Sequence, residues 1–273
     1  MRRRVGILFI VLLAAPSALA TSIVAKVEKD RIILAADTRR SLNINGHSSV
    51  PQDDFCKIVR LENVGLAVTG AIDYEKANPQ DIDDWNAFED FRTSYHLHSN
   101  NLAAIAGDWG NRAKQHYTAF YLRNPSRVRE LAGANTVLIL GLFAGWDDKG
   151  RPTVIAERVN LYETSLPPIV ATGVPAHEND LPYALNKFTD ALIEGDPELV
   201  RATARKWAVR AQQFPESQRD WRWVAFLIQS TNAYDKEVGK DVDVLEIKAS
   251  GSHWVRRGAC GPKKITTKNK KRP

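Results

Sequence analysis

The sequence has little cysteine and no metal-binding motif built on cysteine or histidine. It contains two cysteines and six histidines in 273 residues, with no C-x-x-C pair and no H-E-x-x-H segment. Those patterns carry zinc-binding and thiol redox chemistry, so we predict no metal site and no cofactor. His96 and His98 alternate in a polar segment and would bind a metal only by chance.

The chain also lacks a linker, an internal repeat and a hydrophobic run long enough to span a bilayer comfortably. No stretch rich in proline, serine or glycine separates two cores, and the 44% hydrophobic composition suits one sizeable core. The apolar run at residues 5–15 is shorter than the roughly 20 residues of a membrane-spanning helix. We therefore predict one main domain.

The first twenty residues have the composition of an export signal. Three arginines follow Met1, the apolar run comes next, and Ala18-Leu19-Ala20 has the small-x-small form that signal peptidase cuts after. We predict a signal peptide at residues 1–20 and a mature chain that begins at Thr21, in the periplasm or the extracellular space. The alternative is an uncleaved membrane anchor.

The net charge of +6 does not describe the predicted domain at residues 21–258, because much of the basic excess lies at the two ends. Without the leader arginines and the basic tail, the body has a small acidic excess. The tail at residues 259–273 has no interleaved aromatic residues, so we interpret it as disordered and solvated rather than as a nucleic-acid-binding segment. Its basic residues are Lys263, Lys264, Lys268, Lys270, Lys271 and Arg272.

Two predicted β-hairpins gather a few polar residues near the start of the mature chain. Residues 21–27 and 31–36 read as strands around a turn, and a two-residue loop at 29–30 sets Thr21 opposite Thr38, one place from Asp37. A second hairpin, with its turn at residues 62–63, sets Lys57 opposite Val68 and within two residues of Gly70. An acid, an amine and a flexible backbone corner thus meet near one strand end.

This set of residues suits amide hydrolysis. An N-terminal threonine combines a nucleophilic hydroxyl with an α-amine, whose pKa of about 7.7 to 8.0 lets it accept the hydroxyl proton. A nearby lysine favours the deprotonated oxygen, an aspartate holds the lysine charged, and a glycine lets a backbone N–H approach an oxyanion. Taken alone, Thr21 is an ordinary first residue of an exported domain, and Asp37 is an ordinary turn residue.

Four segments resemble proteasome β subunits, members of the N-terminal nucleophile hydrolases. TSIVAKVEKDRIILAADTRR, at residues 21–40, is similar to the start of that family, and CKIVRLENVGLAVTGAID, from residue 56, resembles its lysine segment and glycine turn. LILGLFAGWDDKGRPTVIAERV resembles the family's GWD-containing strand pair, and IVATGVPAHENDLPYAL its TGSGS-type segment before a helix. The resemblance is spread over most of residues 21–258 and is most specific in the first forty.

The resemblance implies a fold of the α+β class: a four-layer αββα sandwich, the Ntn-hydrolase fold, with two antiparallel sheets between helical layers. The chain pattern itself predicts helices at residues 101–121, 181–194, 198–213 and 221–230 and a last strand at 243–248. The catalytic residues that the resemblance implies are Thr21, Asp37, Lys57, Gly70 and Asp235.

The chain also departs from the family pattern. The spacing from Asp37 to Lys57 is longer than usual, so residues 41–54 form a bulged loop or another residue is the lysine. Val238 stands where the family has a serine, and the serine position of the TGSGS-type segment falls on Thr172 or Val174. The family normally cuts its own propeptide after a glycine in the cytosol, whereas here the leader is an export signal.

We therefore predict an exported threonine-type endopeptidase or amidohydrolase acting on a peptide or amide substrate. The resemblance to ring-forming subunits predicts a homo-oligomer, with no nucleic-acid partner and no membrane contact after signal cleavage. Two alternatives stay open: a small-molecule amidase or acylase of the same fold, and a non-catalytic proteasome-like scaffold subunit. Cys56 and Cys260 either form a disulfide in an oxidising compartment or remain two buried thiols.

Overall fold

The protein is a mixed α+β structure with two antiparallel sheets, one of four strands and one of five. A computed structural model describes residues 23–39, 43–44, 47–48, 53–70, 73–74, 85–99, 101–132, 136–177, 206–207, 209–234, 239 and 241–261. The predicted helix at 181–194 lies outside these ranges. Of the predicted helix at 198–213, residues 206–207 and 209–213 are described; residues 206–207 and 209–211 are helical, and residues 212–213 form a turn.

The four-stranded sheet has the strand order β1-β2-β12-β13. Its first hairpin joins β1 (Ile23–Val27) to β2 (Ile32–Asp37), and Ile23 pairs with Ala36. This is the register that the sequence predicted from the two-residue loop. The other edge of β2 pairs with β12 (Val242–Lys248), which continues into β13 (Gly251–Arg256), a strand that the sequence did not predict.

The five-stranded sheet has the strand order β11-β10-β9-β6-β5. Its second predicted hairpin is confirmed: Ile58 pairs with Ala67, and the Val68 N–H donates to the Lys57 carbonyl oxygen at 3.0 Å. The GWD-containing segment forms the predicted strand pair. The strands are β5 (Ile58–Leu61), β6 (Val64–Gly70), β9 (Val137–Trp146), β10 (Pro152–Leu161) and β11 (Ile169–His177).

Two short hairpins lie outside these sheets. β3 (Asn43–Ile44) pairs with β4 (His47–Ser48) within the long loop between Asp37 and Lys57, and β7 (Asp73–Tyr74) pairs with β8 (Trp85–Asn86). The extra residues of the Asp37–Lys57 loop are therefore accommodated partly as a small hairpin.

Four helices have both ends within the described residues: α1 (Ala87–His98), α2 (Leu102–Arg123), α3 (Pro125–Ala132) and α4 (Glu216–Tyr234). α2 and α4 cover the helices predicted at 101–121 and 221–230. The sequence did not predict α1, which carries His96 and His98 in its last turn and begins after a cap by the Asn86 side chain. Within the described ranges, no helix has the length and apolar character needed to span a bilayer.

Three hydrophobic cores separate these elements into layers. The middle core lies between the two sheets and contains Leu34 of one sheet and Leu142 of the other. A second core joins the five-stranded sheet to α1, α2 and α3, with Trp109 packed edge-on against Phe143. A third joins α4 to the four-stranded sheet. This order is compatible with a sandwich.

Candidate active site

Lys57 and Asp37 form an ion pair between the two sheets with both side chains fully buried. The Lys57 Nζ lies 3.1 Å from each of the two Asp37 carboxylate oxygens, and neither side chain has any exposed area. Asp37 is the last residue of β2, and Lys57 directly precedes β5. The structure therefore brings together two of the predicted site residues, and Lys57 contacts Asp37 despite the longer loop between them.

Backbone donors also hold the Asp37 carboxylate. Its Oδ2 accepts the Arg39 N–H at 3.1 Å and the Gly239 N–H at 2.9 Å. A Cβ at Gly239 would lie 2.7 Å from the Arg39 nitrogen, so this approach requires glycine. Beside it, the Thr38 N–H donates to the Asp241 carbonyl oxygen at 3.2 Å. Asp37 is thus fixed by donors from three separate segments of the chain.

Burial sets the electrostatics of the lysine. Loss of solvent lowers the pKa of Lys57 from 10.5 to about 8, although the charge and hydrogen bonds of Asp37 act in the opposite direction. Arg39 lowers this pKa further, and Asp53, which receives a hydrogen bond from Arg39 at 2.9 Å, raises it. The Lys57 amine is therefore an ammonium at neutral pH that loses its proton near pH 8.

Gly70 ends β6 with a backbone conformation that suits glycine. Its φ is +104°, and a Cβ there would lie 2.5 Å from the Leu138 carbonyl oxygen. Gly70 pairs with Ile139 of β9 and is three residues beyond Ala67, which pairs with Ile58. The predicted glycine corner is therefore present on the strand next to the Lys57 segment.

The other predicted positions lie either outside the described residues or on β11. Thr21, Asp235 and Val238 lie outside the described residues. Thr172 is an exposed residue of β11, and Val174 lies on the same strand. The described part of the site is therefore the Asp37–Lys57 pair with Gly70 on the neighbouring strand.

A disulfide between Cys56 and Cys260 lies directly beside the lysine. The two Cα atoms are 4.6 Å apart and 204 residues separate the cysteines in sequence. The sequence left free thiols as an alternative, since spacing alone carries no geometry. Residues 258–261, most of which we had assigned to the tail, are described and surround this bond.

Sequence reasoning missed Asp243, which holds the segment that carries Cys260. Its carboxylate is fully buried and accepts backbone N–H groups from Gly258, Ala259 and Cys260. Burial raises the pKa of Asp243, while these backbone donors oppose the rise. The signal in the sequence was an aspartate at the start of a predicted apolar strand.

One group of potential metal ligands occurs among the described residues. Ligand atoms of Cys56, Cys260 and Asp243 all lie within 4.8 Å of one another. Both sulfur atoms are bonded to each other, and the carboxylate oxygens already accept backbone hydrogen bonds. We therefore assign no metal to this group.

A second buried acid, Glu157, was also missed. It lies on β10 with 4% of its surface exposed, and side chains at Gly110 of α2 and Gly173 of β11 would overlap its carboxylate. Burial raises the pKa of Glu157 to about 7. Its neighbours Ile155 and Val159 belong to the core under α2, so Glu157 faces the helices and not the middle core. No local pattern marks such a position, because the space is created by glycines of two other elements.

No protein-family model matches the chain, and comparison with curated proteins gives no match.

Proposed function

We propose that this protein is an exported threonine hydrolase of the N-terminal nucleophile class that cleaves amide bonds, most naturally those of peptides. The observation that carries the proposal is the buried ion pair of Asp37 and Lys57 at the end of β2. A lysine and an aspartate with no contact to solvent are costly to bury, and such groups concentrate at functional sites.

The layer order supports this class of fold. We propose that the complete chain is a four-layer αββα sandwich, with α1, α2 and α3 outside the five-stranded sheet and α4 outside the four-stranded sheet. The middle core between the sheets and the two outer cores are the arrangement such a sandwich requires.

Chain connectivity supports the role of Thr21. β1 begins at Ile23, which pairs with Ala36, the residue before Asp37. Two residues of extended chain span at most about 7 Å, so the amine and hydroxyl of a mature Thr21 can reach the ion pair. Thr38 offers a buried hydroxyl at the same place, and its Oγ1 makes no hydrogen bond within the described part of the chain.

The proposed reaction assigns one role to each group. The Thr21 Oγ attacks the amide carbon, while the α-amine of the same residue takes the hydroxyl proton and passes it to the leaving amine. The Lys57 ammonium favours the deprotonated hydroxyl and the neutral amine. The Gly70 N–H donates to the oxyanion, and water then releases the acyl group from Thr21.

The surroundings of Asp37 argue against a role for it as the base. Its carboxylate already accepts hydrogen bonds from Lys57, Arg39 and Gly239. A base must reach the proton it abstracts, and these donors occupy the oxygens. Asp37 therefore orients the ammonium, and the base is the terminal amine.

The proposal is tested by measuring the mass of the mature protein and its labelling by a covalent probe. Intact mass of exported protein should show cleavage after Ala20, and an epoxyketone probe, which needs both hydroxyl and amine to close its ring, should label only the mature chain. Thr21→Ala should be processed normally and be inactive, while Thr21→Ser should keep some activity. Cleavage elsewhere, or hydrolysis by Thr21→Ala, would end the proposal.

Substrate class needs a separate comparison. A peptide library should be cut faster than a panel of small acyl amides. The reverse preference would identify a small-molecule amidase or acylase, and a mature chain that no threonine-directed probe labels would identify a scaffold subunit.

A further inference from the structure

The segment that follows β13 folds back beside Thr38 and Cys56, the residues next to the two partners of the ion pair. We call residues 257–261, with the disulfide that they carry, the C-terminal clamp. The Asp243 carboxylate holds this segment by accepting backbone N–H groups from three consecutive residues, Gly258, Ala259 and Cys260. Asp243 lies on β12, which pairs with β2. The clamp is therefore fixed to the strand next to β2, and β2 ends at Asp37.

The clamp contacts the sequence neighbour of each partner of the ion pair. Gly258 packs so closely on Thr38, the residue after Asp37, that a Cβ at Gly258 would lie 2.9 Å from the Thr38 Cγ2. On the other side, Cys260 is bonded to Cys56, the residue before Lys57. The clamp therefore ties the strand end that carries the acid to the segment that carries the amine.

Backbone hydrogen bonds on both sides of Cys56 also connect its segment to the rest of the site. The Phe55 N–H donates to the Thr38 carbonyl oxygen at 3.0 Å, and the Lys57 carbonyl oxygen accepts the Val68 N–H at 3.0 Å. Adjacent Cα atoms are about 3.8 Å apart, so a shift of Cys56 passes directly to Lys57. A buried ammonium that must meet two carboxylate oxygens tolerates little displacement.

We propose that the Cys56–Cys260 disulfide, anchored by Asp243, positions Lys57 against Asp37 and so makes the activity of this site sensitive to thiol reductants. Cys56, Cys260 and Asp243 are positioning residues that act through Lys57. The effect on turnover depends on the proposed function, whereas the effect on the lysine itself does not.

The redox step is an ordinary exchange. A dithiol reductant gives two electrons and two protons, the S–S bond breaks, two cysteine thiols form, and the reductant becomes a disulfide. Both cysteines are partly exposed, which gives a small reductant access to the bond. Oxidation reverses the step and restores the clamp.

Release of the clamp should change the titration of Lys57. Once Cys56 can move, water reaches the ammonium and desolvation weakens, so the pKa of Lys57 should rise from about 8 toward its ordinary value of 10.5. Turnover should fall by about tenfold or more, in kcat and not in KM, because misplacement of a catalytic group by a fraction of an ångström is costly.

The experiment compares the oxidised chain, the chain reduced with dithiothreitol, Cys260→Ser and the double variant Cys56→Ser/Cys260→Ser. Lysine side-chain NMR follows the Lys57 titration, which is assigned by its loss in Lys57→Met, and far-UV circular dichroism follows the fold. We expect the raised titration midpoint in all three forms without the disulfide. Dithiothreitol should have no effect on the double variant.

The outcomes separate the two proposals. An unchanged Lys57 midpoint without the disulfide would overturn the positioning role, and so would loss of the fold on reduction, because the disulfide would then be a structural staple. A raised midpoint in a chain that hydrolyses nothing would support the positioning role and contradict the proposed function. Hydrolysis at the same rate with and without the disulfide would support the proposed function and contradict the positioning role.

Discussion

The Lys57 side chain is fully buried, and its surroundings set the pKa at which it loses its charge. Burial acts against the ammonium and the Asp37 carboxylate acts for it, with a pKa of about 8 as the balance. In the proposed mechanism the charged form is the active one. Activity should therefore be limited on the alkaline side by loss of the Lys57 proton.

Replacing Asp37 by asparagine should move this alkaline limit to lower pH. The amide keeps the shape of the side chain but removes the negative charge, so the pKa of Lys57 should fall below about 8 and the ammonium should be lost earlier as pH rises. A pH–rate profile, or the lysine titration by NMR, measures the change.

The matched control for that change is Asp53→Asn. Asp53 contributes less than Asp37 to the same lysine and is more than half exposed. The Asp53→Asn substitution should shift the alkaline limit only slightly, because solvent screens the charge of Asp53. Equal shifts in the two variants would contradict the assignment of Asp37 as the partner.

Glu157 should make the protein less stable as the pH rises. Its folded pKa of about 7 lies above the ordinary value of 4.5, so the folded state binds the extra proton between these limits and the free energy of unfolding falls as pH rises through them. Glu157→Gln should remove this dependence and raise the free energy of unfolding at pH 8 by on the order of 2 kcal/mol. Urea denaturation at pH 5 and pH 8 measures both effects.

The control for Glu157 is Glu89→Gln on α1, where the carboxylate is exposed and pairs with Arg92. That variant should change the free energy of unfolding little at either pH. If it behaves like Glu157→Gln, the pH dependence arises from general charge and not from the buried acid.

Gly70→Ala should destabilise the fold by about 2 kcal/mol or more, because an L side chain is strained at φ +104° and the new Cβ would meet the Leu138 carbonyl oxygen. Gly107→Ala is the matched control: its Cβ would meet nothing within 4 Å on α2, and a helical alanine is favoured over glycine. Thermal unfolding should therefore move in opposite directions for the two variants.

At the level of strands and helices, the sequence predicted best where short turns fix the geometry. The two-residue loop after Glu28 and the turn at Glu62 each allow one pairing, and both registers are confirmed. The sequence did not predict α1, because polar residues interrupt its helical pattern of apolar positions. The start of α1 is set by the Asn86 cap. Asp243 and Glu157 were missed because their surroundings come from residues distant in the chain.

α4 offers a comparison between apolar packing and surface charge. Ile228 is fully buried against the core that contains Ile33, whereas Asp220 accepts hydrogen bonds from Lys26 and Arg31 at a partly exposed surface. Ile228→Ala should cost about 3 kcal/mol of unfolding free energy. Asp220→Asn should cost less than about 1 kcal/mol, and less still in high salt. Denaturant titrations with and without salt measure both losses of unfolding free energy. Equal losses in the two variants would contradict this expectation.

For the whole molecule, we expect self-association through helical faces and strand edges. The resemblance is to ring-forming subunits, and β1, β13, β5 and β11 each lie at the edge of a sheet. Static light scattering at micromolar concentration should give a mass that is a multiple of the subunit, whose full chain has a mass of 30.5 kDa. A strictly monomeric mass would contradict this expectation.

The strand order of the smaller sheet has a consequence for the time at which the site is assembled. β2 lies between β1, its neighbour in sequence, and β12, which begins at Val242. While the ribosome is still adding the residues between them, one edge of β2 has no strand to pair with, and the Gly239 N–H that holds Asp37 does not yet exist. Folding that depends on such distant pairings is slow. The Gly239 N–H that holds Asp37 is therefore supplied only after most of the chain has been synthesised, so the surroundings of the ion pair are completed by a late segment of the chain.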